Sequence, residues 1–137
     1  MKVLIDTNII MDVLANREGF AEPASHIFKL CEVGKIQGYV YALSIANIVY
    51  IMRKELDRSQ IEDVISKLAS IFSIADMKAD DLKRAAMQPI DDFEDSLQSV
   101  CASRLKADFI VTRNLKDFKN SKVMAIKPSE LVERLSE

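Results

Sequence analysis

This chain is poor in the residues that break or staple a fold. Three glycines and three prolines in 137 residues leave little room for linkers or disordered tails. There are two cysteines, Cys31 and Cys101, without a Cys-x-x-Cys or Cys/His cluster, so spacing supports neither a disulfide framework nor a zinc site. Both fall on apolar stripes of expected helices and read as buried thiols of a reducing cytosol, with a disulfide or shared metal as the alternative. The only histidine, His26, reads as a helix-surface residue rather than a general base. No apolar run approaches the ~20 residues of a membrane helix. The apolar stretch Val3-Leu4-Ile5 is also too short for a signal peptide, so a cytoplasmic protein without a membrane partner is expected. An excess of one charge is missing too. Lys and Arg number 19 against 21 Asp and Glu, a net charge of −2, which excludes a broad nucleic-acid-seeking field and leaves phosphate to a local basic patch.

What is present is a well-mixed globular composition, 49% hydrophobic and 29% charged, at a length typical of one domain covering residues 1–137. Val3-Leu4-Ile5 reads as a buried strand, followed by Ile9, Ile10, Val13 and Leu14 at helical spacing with Thr7 or Asp6 as the cap. A second helix has Pro23 near its start and ends at Gly34. Residues 38–42 (GYVYA) read as a strand. A helix capped by Ser44 then runs to about Leu56, and a capping box at Ser59-Gln60-Ile61-Glu62 opens the next. Phe72-Ser73-Ile74 is the expected third strand, and helices follow from about Ala79 and from Asp92–Asp95. Phe109–Val111 and residues 122–126 are the fourth and fifth strands, and Pro128 starts the last helix. Strands alternating with helices predict a mostly parallel sheet covered on both faces. The interval from Ser44 to Leu68 reads as a helical hairpin that could project from the sheet. Tyr39, Tyr41 and Tyr50 fall on core-facing elements, where packing is the default and base stacking the alternative.

Three carboxylates stand out: Asp6 after the first strand, Asp95 in the first turn of a helix, and Asp117 after the fourth strand. Each has a plain structural use as a cap, a helix-dipole partner or a turn residue. Two strand ends nevertheless deliver acid-bearing turns to one sheet edge. Carboxylates brought together repel unless a cation lies between them, and hard oxygen ligands suit Mg²⁺ or Mn²⁺. A metal-activated water suits attack on a phosphodiester. Arg113 and Lys116 lie in the fourth-strand turn, where they would steer phosphate or simply face solvent. Arg53, Lys54 and Arg104 are the other basic residues near these segments.

The opening VLIDTNIIMDVL, the segment DFEDSLQSVCA around Asp95 and IVTRNLKDF at 110–118, in that order, resemble the PIN-domain family. The resemblance covers nearly the whole chain. It implies a three-layer α/β/α sandwich with a parallel sheet of about five strands. It also implies a metal-dependent ribonuclease, in many members the toxin of a toxin–antitoxin pair. Asp6 and Asp95 match metal-binding acids of the family, Thr112 its hydroxyl beside the metal and Asn8 its amide after the first acid. Asn114 stands where an acid usually follows Thr-Arg, with Asp117 at the second acidic position. Asn47 stands where the family's toxins usually carry a Glu. Amides ligate through oxygen but bring no charge, so weaker metal affinity is implied, with Glu94 or Asp92 as compensating acids.

The resulting expectation is an endoribonuclease in which Asp6, Asp95 and Asp117 hold Mg²⁺ or Mn²⁺, assisted by Asn8, Asn47, Glu94, Thr112 and Asn114. Arg113 and Lys116 would contact an RNA substrate, an antitoxin would block the pocket with a basic side chain, and a homodimer is expected. The rival is a PIN-like module that binds RNA or protein without strong catalysis. A phosphatase using Asp6 as nucleophile ranks below both, because Asn8 occupies the position where that chemistry wants a second Asp.

Overall fold

The computed structural model describes residues 1–136. Its five strands are β1 (Lys2–Ile5), β2 (Gln37–Tyr41), β3 (Ser73–Ala75), β4 (Phe109–Val111) and β5 (Ala125–Ile126). They form one sheet in the order β3-β2-β1-β4-β5, and every pairing is parallel. Helices α1 (Thr7–Leu14) and α2 (Ala21–Glu32) carry the chain from β1 to β2. Helices α3 (Ala42–Ile51) and α4 (Arg58–Ile71) carry it from β2 to β3, and α5 (Ala79–Ala86) and α6 (Phe93–Leu105) from β3 to β4. A short 3-10 helix (Leu115–Phe118) precedes β5, and α7 (Pro128–Ser136) closes the described chain.

Strand side chains point alternately to opposite faces, and the sheet is apolar on both. Val3, Ile5, Val40 and Val111 pack with Ile10, Ile27, Ile48, Leu68 and Leu131 of α1, α2, α3, α4 and α7. Leu4, Tyr41 and Ile110 point the other way, onto Leu97, Val100 and Cys101 of α6. The result is the three-layer α/β/α sandwich with a parallel sheet. Cys31 and Cys101 are buried and unpaired, one in each core, so the sheet separates them. Burial pushes both thiols up to about 12, which leaves them inert. Gly38 is required by close packing, since a Cβ there would lie 2.5 Å from Cys31 Sγ and 2.8 Å from the Phe72 ring. Among the described residues no helix is long and apolar enough to cross a membrane.

Several local expectations need correction. Asp6 is the N-cap of α1, but its side chain makes no capping bond, because it is turned toward β4. Ser44 lies inside α3 rather than at its start, and α3 ends at Ile51, before Leu56. The capping box of α4 is two residues earlier than expected. Asp57 accepts from the Gln60 N–H at 2.9 Å, and the Gln60 side chain accepts from the Asp57 N–H at 2.9 Å. Asp57 accepts as well as Ser59 would, so the motif alone did not place the cap. No projecting hairpin forms: α3 packs on α1 and β2, and α4 on α2 and β3. Tyr50 is not a core residue either, since it is 64% exposed.

This topology makes one crevice. From β1 the chain moves outward to β2 and β3, then returns across the sheet to β4 and β5. Connections therefore leave β1 and β4 in opposite directions, and in open parallel sheets ligands bind outside the carboxyl ends of such strands. Asp6 follows β1 and Thr112 follows β4 at that edge.

Candidate active site

The residue after β1 continues the ladder, with the Asp6 N–H donating to Val111 O at 3.0 Å. That register sets the two strand ends level. Thr112 Oγ1 donates to Asp6 Oδ2 at 2.9 Å, and the Asn114 N–H donates to Thr112 Oγ1 at 3.1 Å. Asp6 is 6% exposed, and no basic side chain bonds to it among the described residues. Desolvation raises its pKa to about 6, against the lowering effect of the Thr112 hydroxyl and the Thr7 amide.

A cavity of about 370 Å³ opens above Asp6. Asp6, Thr7 and Asn8 form one wall from the start of α1, and Asn47, Tyr50 and Ile51 of α3 form another. Glu94 and Asp95 enter from the first turn of α6, with its N-cap Asp92, whose carboxylate accepts from the Asp95 N–H at 3.0 Å. Asn114 and Asp117 close the cavity from the β4 side. Burial raises the Asp95 pKa to about 7, aided by the charges of Asp92, Asp6, Asp117 and Glu94. The acids therefore sense one another across a cavity that no basic side chain lines among the described residues. Larger cavities exist, about 620 Å³ between α5 and α6, about 820 Å³ among α1, α2 and α4, and about 440 Å³ beside β2, the last lined by no charged residue. The first has its acids matched by Arg84 and Arg104, and the second has a single acid, Asp63, with Lys67 on the same lining.

Asp6, Asp95, Asp117, Asn8, Asn47, Glu94 and Asn114 thus come together on one cavity, with Thr112 bonded behind Asp6. Lys116 lies in an adjoining cavity of about 280 Å³ that shares Asp92, Asp95 and Asp117. Arg113 goes elsewhere. Its Nε and Nη2 donate to the two oxygens of buried Asp12 at 3.0 and 3.2 Å, and its guanidinium lies over the Phe20 ring. Arg17 Nη1 donates to Asp12 as well, at 3.2 Å. Arg113 therefore ties the β4 turn to α1, because an isolated buried carboxylate needs a cation. Arg104 is similarly engaged with Asp81.

Sequence reasoning missed a buried polar layer beneath the cavity. Thr7 Oγ1 donates to Ser44 Oγ at 2.8 Å, while Gln98 Nε2 donates to Ser44 Oγ at 2.6 Å and to Thr7 Oγ1 at 3.3 Å. Thr7 adjoins Asp6, Ser44 lies one turn before Asn47, and Gln98 lies one turn after Asp95. Three site-bearing elements are joined there by side chains that are all buried. The available signal was polar residues one helical turn inward of the site residues. Gln98 Oε1 has no partner, an orphan acceptor in that layer.

The donor set fits a hard divalent cation: carboxylate and amide oxygens, with two carboxyl groups whose ionised forms lack compensation. Among the described residues no three His, Cys, Asp or Glu side chains converge closely enough to enclose a metal by themselves.

A family model described as PIN domain matches residues 2–116, and the chain belongs to the PIN-domain family. Comparison with curated proteins finds no match. Among solved structures the fold is similar to that of VapBC2 from Rickettsia felis bound to a DNA fragment from their promoter. That match has a TM-score of 0.72 and 18% identity, covering 93% of this chain and 98% of the other. A toxin–antitoxin complex from Klebsiella pneumoniae matches at TM-score 0.70 and 20% identity, over 92% and 97%. VapBC-1 from nontypeable Haemophilus influenzae matches at 0.70 and 16%, over 94% and 99%.

Proposed function

We propose that this protein, a single domain over residues 1–137, is a divalent-metal-dependent endoribonuclease and the toxin of a toxin–antitoxin pair. The observation that carries the reading is a set of carboxylates gathered at the β1/β4 crevice with no basic side chain lining it among the described residues, and with Asp6 buried among them. Asp6, Asp95 and Asp117 would hold Mg²⁺ or Mn²⁺, with Asn8, Asn47, Asn114 and Glu94 around them. When bound, the cation supplies charge neutralisation and an acidified water for hydrolysis of a phosphodiester.

The chain's own residues do the rest. Thr112, steadied by the Asn114 N–H, donates to Asp6 Oδ2 and favours its ionised form, so the carboxylate is oriented before anything binds. The Asp92 cap fixes the first turn of α6 and with it Asp95. Lys116 lies beside the shared acids, where it would meet a flanking phosphate. Arg113 serves this site by holding the turn rather than by touching substrate.

Likeness in fold to chains from toxin–antitoxin complexes supports an antitoxin partner, and the acidic lining of the cavity would suit a basic side chain of that partner. Exposed apolar side chains outside the cavity, among them Leu82 and Met87, support a homodimer, and the proposed location is the cytoplasm. Asn47 and Asn114 on the cavity wall favour a second reading, a module that holds RNA without cutting it. Mn²⁺-dependent cleavage of single-stranded RNA tests the two. We expect cleavage to fall by about 100-fold or more in Asp6→Asn, the order of a lost key electrostatic group. Cleavage indifferent to that change rules out the nuclease reading.

A further inference from the structure

Tyr50 and its surroundings are not explained by hydrolysis. Tyr50 is 64% exposed yet borders the acidic cavity, at the end of α3. Arg53 lies with its guanidinium 3.9 Å over one face of the ring, held there by Nη1 donating to Tyr50 O at 2.7 Å. A flat, charged platform is thus fixed at the rim, on a side chain that stays mostly exposed. Beyond the shared acids Asp92, Asp95 and Asp117, the adjoining cavity is bordered by one more acid, Asp91, and by two cations, Lys116 and Lys119. Both lysines are exposed and neither pairs with a carboxylate among the described residues.

We propose that the two cavities form one groove for a single-stranded nucleic acid, with a base stacked on the Tyr50–Arg53 platform at one end and phosphates held by Lys116 and Lys119 at the other. This rests on the nuclease reading, which puts a linkage over the acids between them. Every linkage of such a strand carries charge, and the cations needed to balance the flanking linkages stand at the two ends of an otherwise acidic groove. Base–aromatic stacking accepts any base, and an arginine on the ring adds to it. A duplex hides its base faces in the stack and has no use for the platform. An acidic peptide would satisfy the lysines but would leave the platform without a planar partner.

The test is a short RNA carrying 2-aminopurine, titrated with the full chain in Ca²⁺ so that the acids are neutralised and the strand stays intact. Binding should quench the base. Tyr50→Leu, which keeps an apolar side chain but removes the ring, should weaken binding about 10-fold and lose the quenching, while Tyr50→Phe behaves as wild type. The double variant Lys116→Ala/Lys119→Ala should retain the quenching. It should also reduce the slope of log affinity against log salt by about 1.4, as expected for two lost single-strand phosphate contacts. Unchanged binding in Tyr50→Leu, or equal competition by an RNA duplex, overturns the groove. So does an effect of Tyr50→Leu confined to self-association, which would make the platform a protein contact. Wild type that binds and quenches but never cleaves in Mn²⁺ would remove the nuclease reading and leave the groove. Normal Mn²⁺ cleavage in both variants would do the reverse.

Discussion

Asp81 and Asp6 are both buried carboxylates at the start of a helix, and their surroundings differ in one respect. Around Asp81 everything donates: Arg104 through Nε and Nη2 at 3.2 and 3.0 Å, the Tyr41 hydroxyl at 2.8 Å and the Lys78 N–H at 3.0 Å. Burial works to raise its pKa, but these donors outweigh it and hold the carboxyl below the usual value. Asp12, also buried, is paired with two arginines, Arg113 and Arg17. Asp6 receives one hydroxyl and faces other acids, so burial wins and its pKa rises to about 6. The Asp81 and Asp12 corners hold the fold together. The Asp6 corner carries a buried charge that no basic side chain offsets among the described residues, and it is suited to a cation.

The sharpest way to break this comparison is to delete one carboxylate of each kind. Asp81→Ala should destabilise the protein by about 3 kcal/mol in urea unfolding, the lower end for breaking a buried pair because Arg104 keeps some solvent. Asp6→Asn should have the opposite sign, stabilising the metal-free protein by up to about 2 to 3 kcal/mol above pH 7. Equal losses from the two substitutions would mean the corners do not differ.

The same contrast predicts a pH dependence. Asp6 and Asp95 are held at about 6 and about 7 in the fold, against 3.8 as the unperturbed value. Between those values the native state binds more protons than the unfolded chain, so stability contributed by these groups is present near pH 4 and lost as pH rises through 6 to 7. Thermal melts without metal should therefore fall in midpoint over that window. Mn²⁺ should restore the midpoint at pH 7.5, and a flat profile without metal contradicts the shifts.

Smaller effects should come from the layer below and the wall above. Gln98→Met removes the amide that joins α6 to Ser44 and Thr7, together with the orphan acceptor. Stability should change by no more than about 1 kcal/mol, while Mn²⁺ affinity falls up to about 10-fold, as for groups that orient ligands from behind. A loss of stability with affinity intact would make the layer merely structural. The smallest expected change is Asn47→Glu, which adds a charge to the cavity wall. Affinity for Mn²⁺ should rise severalfold, while repulsion by the acids already there lowers the stability of the metal-free protein by about 0.5 kcal/mol.

Much of this was legible in the chain. Val3-Leu4-Ile5 and Phe109-Ile110-Val111 are apolar runs bounded by polar turns, and runs of that kind form central parallel strands. Asp6, Asp95 and Asp117 were readable because each stands at the junction of two local patterns. Arg113 was misjudged because its partner Asp12 is 101 positions away and reads locally as one more helix residue. Ser44 looked like a cap because serine beside an apolar run usually is one; its hydroxyl instead bonds to Thr7 and Gln98, 37 and 54 residues distant. Tyr50 was expected to pack because it falls on a core-facing element, but membership of such an element does not say whether a neighbour covers the residue.

The sequence by itself determined the alternation of strands and helices and the presence of acids where strands and helices meet, since both depend on periodicity and capping within a few residues. Only the tertiary structure decided which of those acids meet a cation and which do not. Asp12 and Asp81 acquire arginines from distant segments, and Asp6 and Asp95 acquire each other. Charge compensation is a property of the packed arrangement, because a carboxylate's cost depends on everything that surrounds it once water is gone.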